Sequence, residues 1–294
     1  MSDSAAGSIY DLGYRHYDGL RLGRRHAIWA LYLYSLRNVF GFGRSFWAKA
    51  GPIGIAILVF LPAVIQLGIA TIASGELDVF EPEDYYGIIG VLLVLFCAVV
   101  SPELVGRDQQ TKTLSLYFSR ALRRQDYALA KFFAMLTGML SITLLPQLLM
   151  FVGNGLAGDD FGDYFRDTWE DIPAIIGSAL LLSSTFAGIG LLIASQTSRR
   201  FYSTVGILAA FILTFAIAEA IFHSADEDIG KFVLFASPLH FFEGLTLWFF
   251  DASPDPENVL AKANLPGIAF VVEALAVASL LLALLIRRYE RISA

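Results

Sequence analysis

Ser101-Pro-Glu-Leu-Val-Gly-Arg-Asp-Gln-Gln-Thr-Lys-Thr-Leu-Ser-Leu-Tyr-Phe-Ser-Arg-Ala-Leu-Arg-Arg-Gln-Asp-Tyr-Ala-Leu-Ala-Lys131 is a charged, helix-compatible stretch between two long apolar segments. From Leu114 onward the apolar residues Leu114, Tyr117, Phe118, Ala121 and Leu122 recur at helical spacing, while Arg120, Arg123, Arg124 and Lys131 supply positive charge. Such a helix can lie flat beneath a membrane, where apolar side chains reach inward and cations stay in the headgroup region.

The flanking sequence supports a membrane setting. Of 294 residues 56% are hydrophobic and only 16% charged, against about 25% charged in soluble domains. Uncharged runs extend over Ala50–Gly75, Tyr85–Pro102, Phe132–Gly158, Ile172–Ser198 and Phe201–Ala218, and a sixth, Ala263–Ile286, is broken only by Glu273. Crossing hydrocarbon takes about 20 apolar residues, so each run is long enough. The expected spans are 51–74, 85–104, 132–156, 172–196, 201–222 and 265–286 within an all-α transmembrane domain over 50–286. Pro62 and Pro146 fall inside spans one and three and are expected to kink them.

Around this domain, residues 1–23 are polar, without the apolar core of a cleaved signal, and are expected in the cytoplasm. Residues 24–49 read as one interfacial amphipathic helix, with Ile28, Tyr32, Leu36, Val39, Phe40 and Trp47 opposite Arg25, Arg37, Asn38, Arg44 and Lys49. Residues 105–131 form the link between spans two and three, and 287–294 a short cytoplasmic tail. The segment 223–262 is apolar and aromatic but carries Lys231, His240 and Glu243, which favours short or re-entrant extracytoplasmic helices over a seventh span. Lys and Arg set orientation: of the 21, all but Arg166, Lys231 and Lys262 fall on the side of the termini and the 105–131 link, so that side is expected to be cytoplasmic.

The link also carries a family likeness. Asp108, Thr113-Leu114, the run Ser119-Arg120-Ala121-Leu122-Arg123-Arg124 and Lys131 resemble the signature after the second span of ABC-2 type transporter permeases: an acidic residue, Gly-Thr-Leu, Arg-Pro-x-x-Arg and Gly-Lys. Lys112 and Ala130 stand where the family usually has Gly, and Ala121 where it usually has Pro. Ser237-Pro238-Leu239-His240-Phe241-Phe242-Glu243-Gly244 is similar to the Ser-Pro-centred segment between the last two spans of those permeases. The resemblance implies the permease subunit of an exporter, driven through a coupling helix by a separate cytoplasmic ATPase and paired with an identical or paralogous second permease. It further implies apolar contact to the ATPase by Leu114, Tyr117, Phe118 and Leu122, beside Thr113, with Asp108, Arg120 and Arg124 setting register through charge.

Chemistry-bearing motifs are sparse. No Gly-x-x-x-x-Gly-Lys-Ser/Thr loop is present to hold a nucleotide, so ATP and Mg are expected only in the partner and no catalytic residue is assigned. Cys97 is the single cysteine, which excludes a disulfide framework and reads as a packed or lipid-facing residue. His223 with Asp226 and His240 with Glu243 are too loosely spaced to be assigned as metal ligands. Two acids, Glu219 near the end of span five and Glu273 in span six, are costly at membrane depth and are candidates for a substrate pathway or for structural hydrogen bonding. Two other classes stay open: a membrane component that transmits ATPase work to an extracytoplasmic partner without transport, and a stand-alone secondary transporter using Glu219 and Glu273.

Overall fold

The structure, a computed structural model, describes residues 22–72, 82–119, 122–158, 160–224 and 227–291. Six helices are long and apolar enough to cross a membrane. They are α2 (Phe46–Ile72), α3 (Asp84–Ser101) running through a wide π turn at Pro102–Gly106 into α4 (Arg107–Gln110), α6 (Arg124–Ala157), α8 (Asp171–Ala194), α9 (Arg200–Ser224) and α13 (Gly267–Glu290). The shorter helices are α1 (Gly23–Val39), α5 (Leu114–Phe118), α7 (Phe161–Thr168), α10 (Glu227–Val233), α11 (Pro238–Phe249) and α12 (Val259–Ala263). No strand occurs among the described residues. The chain is an all-helical integral membrane protein.

At its hub stands α6, packed against α1, α2, α8 and α13. Its 34 residues make a rod of about 50 Å, longer than the ~30 Å of hydrocarbon, so it projects well past the apolar layer. Glycines let neighbours approach it: a Cβ on Gly138 would lie 2.5 Å from Val39 and one on Gly153 2.5 Å from Leu67. Pro146 sits inside this helix, as Pro52 and Pro62 sit inside α2, and both helices continue through them. Cys97 is buried between α3 and α8, its thiol donating to the Phe186 carbonyl at 3.3 Å. In contrast α2, α9 and α13 leave much of their apolar surface uncovered, with Ile57, Leu61, Ile212, Ile217, Val272 and Leu280 all exposed, as expected for lipid-facing helices.

The stretch 24–49 is not one helix. It breaks after Val39 because Gly41 (φ 70°) and Gly43 (φ 83°) take left-handed backbone, which ends the α-helical ladder. Trp47 therefore belongs to α2, where it is 84% exposed. The buried stripe of α1 is Leu31, Ser35 and Val39; of the expected face Val39 is fully buried, while Ile28, Tyr32, Leu36 and Phe40 are half-buried. Arg24 anchors its start through two hydrogen bonds to Asp126, at 2.8 and 2.6 Å, and these hold its guanidinium above its ordinary value. Asp126 also accepts from the Arg123 backbone at 2.9 Å, capping α6.

Beyond α9, two consecutive helices over Gly230–Ala236 and Pro238–Phe249 are bent by 96° against each other. Ser237 is extended there, and Pro238 at the first helical position starts α11 cleanly. This bent arm packs on α8, α9 and α13. Gly244 and Gly267 admit it, since a Cβ on either would sit 2.6–2.7 Å from Phe270 or Trp248.

Candidate functional site

The 101–131 link is built on a buried ion pair. Lys131, 1% exposed on α6, lies 2.8 Å from Asp108, 13% exposed on α4. The Tyr127 hydroxyl donates to the same carboxylate at 2.8 Å, and its ring lies 5.3 Å below the ammonium. Tyr127 in turn packs between Tyr117 and Phe118 of α5 and Tyr289 of α13, with centroids 5.7, 6.0 and 4.9 Å away. Burial, with Asp108 and Tyr34 close by, pushes the Tyr117 phenol up to about 12 and keeps it a neutral hydroxyl. Arg124 stacks 5.8 Å over Phe118 and donates to the Glu290 carbonyl at 2.8 Å. Further ties reach the α8–α9 link, where Gln109 and Arg288 both donate to the Ser195 carbonyl, at 3.0 and 3.4 Å.

On this scaffold sits a short exposed tip. Lys112 adopts left-handed backbone at φ 54°, which costs a non-glycine residue about 1 kcal/mol or more. This gives a physical reason for the glycine usual there in the family signature. Next to it Thr113 donates from backbone and hydroxyl to the Asp108 carbonyl, at 3.0 and 3.2 Å, closing off α4. Leu114 and Leu122 are each 8% exposed and join the core, while Tyr117 and Phe118 are half-buried. Among the described residues of the tip the exposed apolar one is Leu116, 65% exposed, flanked by exposed Lys112, Ser115, Ser119 and Arg123. Sequence reading misses Leu116 because it treats Leu114–Leu122 as one continuous helical face, whereas α5 spans five residues. Arg120 lies outside the described residues.

Beside the tip is a second charged centre that the sequence does not announce. Glu103, in the π turn, pairs with Arg44 at 2.6 Å and Arg200 at 2.5 Å. One carboxylate thus ties the α1–α2 turn and the start of α9 to the second span. π turns inside α-helices recur at functional sites, but nothing in local spacing joins residues so far apart in the chain.

At the opposite end of the bundle, Glu219 lies between two histidines. Its Oε1 is 3.2 Å from His240 Nε2 and its Oε2 3.4 Å from His223 Nε2. His240 is 1% exposed and stacks on Phe215 at 4.5 Å. Glu219 borders a cavity of about 420 Å³ shared with Glu243 and Lys262. Glu273 stands apart from it, half-buried, with a buried Oε2 that has no hydrogen-bond partner among the described residues. Among the described residues no group of three or more His, Cys, Asp or Glu is placed to hold a metal ion; Asp226 lies outside them.

Six spans, an insert pinned between the second and third, and a bent Ser-Pro arm before the sixth form one arrangement. The sequence matches the model of the ABC-2 family transporter protein over residues 5–293. The chain belongs to the ABC-2 transporter family. No curated protein matches the sequence. Membership makes it a membrane component of an ABC transporter, a family whose permeases generally work with a cytoplasmic ATPase and often dimerise.

Proposed function

We propose that this protein is the permease subunit of an exporter, driven by a separate cytoplasmic ATPase that docks on the tip around Leu116. The observation that carries this reading is the contrast in burial within one short segment: Leu116 stands exposed while Asp108, Leu114, Leu122 and Lys131 hold its base rigid. A lever must present one contact to its driver and transmit displacement through the rest. Leu116, Lys112, Arg123 and, by family resemblance, Arg120 contact the ATPase; Leu114, Tyr117, Phe118, Leu122 and Arg124 hold the tip's shape. Asp108 acts by fixing register between spans two and three, not by touching the partner. In this reading both termini face the cytoplasm, ATP and Mg bind in the partner, and a second permease completes the pathway. Glu219, beside a cavity, belongs to that pathway, and so does Glu273, whose buried Oε2 has no hydrogen-bond partner among the described residues.

The mechanical step requires the tip to bind the two ATPase states with different affinity, because equal affinity shifts no equilibrium. The native cysteine is buried, so Leu116→Cys provides a nearly silent background for labelling. In intact cells Leu116→Cys should resist a membrane-impermeant maleimide and become reactive on permeabilisation, and added ATPase should protect it. Labelling from outside intact cells would overturn the orientation and the docking scheme together.

A further inference from the structure

The second cavity at the end opposite the tip shares Phe215 and Glu243 with the Glu219 cavity but is otherwise lined mainly by apolar and aromatic residues and two further acids. It occupies about 300 Å³ between α3, α8, α9 and the bent arm α11, within the range of small-molecule pockets, about 300–1,000 Å³. Its walls are aromatic and aliphatic: Tyr86, Leu93, Phe186, Phe215, Phe242 and Leu247. Phe186 is clamped between Phe211 and Phe242, with centroids 4.6 and 4.8 Å away, so this wall is rigid. Glu83, Asp84 and Glu243 stand on the lining, the Glu243 carboxylate also accepting from the Asn258 amide, and no lysine or arginine lines it among the described residues. Tyr86, only 5% exposed, also stands on the lining. Gly87 and Gly90 face open space where a side chain would otherwise stand.

We propose that this chamber binds a hydrophobic organic cation, its apolar body against Phe186, Phe242 and Leu247 and its positive centre between the aromatic faces and the carboxylates of Asp84 and Glu243. Aromatic faces attract cations through their quadrupoles, most strongly when water is displaced. A carboxylate rim without a competing lysine or arginine adds attraction and disfavours anions of the same shape. A neutral lipid tail would fill the walls but leave the charged rim without a role. As the substrate class of the exporter this inference rests on the permease reading; as a binding site it does not.

The test is binding of tetraphenylphosphonium to the purified full-length protein in detergent, with tetraphenylborate as a probe of the same shape and opposite charge. Asp84→Asn combined with Glu243→Gln should weaken tetraphenylphosphonium by about tenfold, the loss of roughly 1.4 kcal/mol of attraction, without weakening tetraphenylborate. Gly90→Phe, which fills the chamber where a Cβ meets nothing within 4 Å, should weaken binding at least as much while leaving thermal stability unchanged. Absence of saturable tetraphenylphosphonium binding, or equal binding by wild type and the charge variant, overturns the proposal. If Gly90→Phe does not fold, the charge variant and the probe pair still decide. A separate arm adds the cognate ATPase in proteoliposomes: tetraphenylphosphonium that binds but never alters hydrolysis removes the substrate role and leaves the site standing.

Discussion

Replacing Asp108 with Asn should be among the most damaging single changes to the link. At 2.8 Å from Lys131 and an effective dielectric constant of 20, the gross attraction is about 6 kcal/mol. Most of this offsets the desolvation of an ammonium that is 1% exposed, so the pair as a whole contributes little net stability. Removing one partner is different, because the other charge stays buried and uncompensated, at a cost of about 3–5 kcal/mol. Lys131→Met should cost less, about 2–3 kcal/mol, since Asp108 is more exposed and keeps the Tyr127 hydroxyl as a donor. The double variant should recover to within about 2 kcal/mol of wild type, as buried pairs exchanged together usually do. Unfolding in mixed micelles, followed through tryptophan fluorescence, gives the double-mutant cycle directly. Single variants within about 0.5 kcal/mol of wild type, adding without coupling, would refute the assignment of this pair as the pin between spans two and three.

Other expectations concern the tip and its surroundings. Lys112→Gly should stabilise the protein by about 1 kcal/mol by relieving left-handed backbone at φ 54°, and the same unfolding assay reads it; a destabilised variant would contradict that account. Leu116→Asp should abolish co-purification with the ATPase at unchanged stability, whereas Leu114→Asp should lower stability by about 3 kcal/mol or more through a charge placed in the core. Glu103→Gln leaves Arg44 and Arg200 without their carboxylate and should cost about 1–3 kcal/mol, with faster proteolysis in the Phe40–Ser45 turn as a second readout. Gly138→Leu should be severely destabilising, because its side chain would need the space Val39 fills.

The membrane architecture was legible because hydrocarbon imposes one rule on every span: a long apolar run with its backbone satisfied internally. Runs such as Phe132–Gly158 announce themselves without tertiary help. The link was legible only in part. Helical periodicity correctly marks Leu114, Tyr117, Phe118 and Leu122 as apolar positions, but it assigns no direction to the face they form, and the fold turns Leu114 and Leu122 inward. The break at Gly41 and Gly43 was hidden because periodicity reads composition and not backbone sign. Glu103 and the Glu219–His240 contact depend on chain segments meeting across the bundle, and no local pattern encodes those meetings.

The π turn at Pro102–Gly106 gives the second span a built-in phase. A π turn takes up one residue more than an α turn, and each residue of an α-helix advances by about 100°. Were the turn to tighten into ordinary helix, everything beyond it would swivel by that angle, carrying Asp108 away from Lys131 and Gln109 away from Ser195. The buried pair therefore acts as a keyed stop on a screw: it accepts one angular setting of the tip and rejects the neighbouring one.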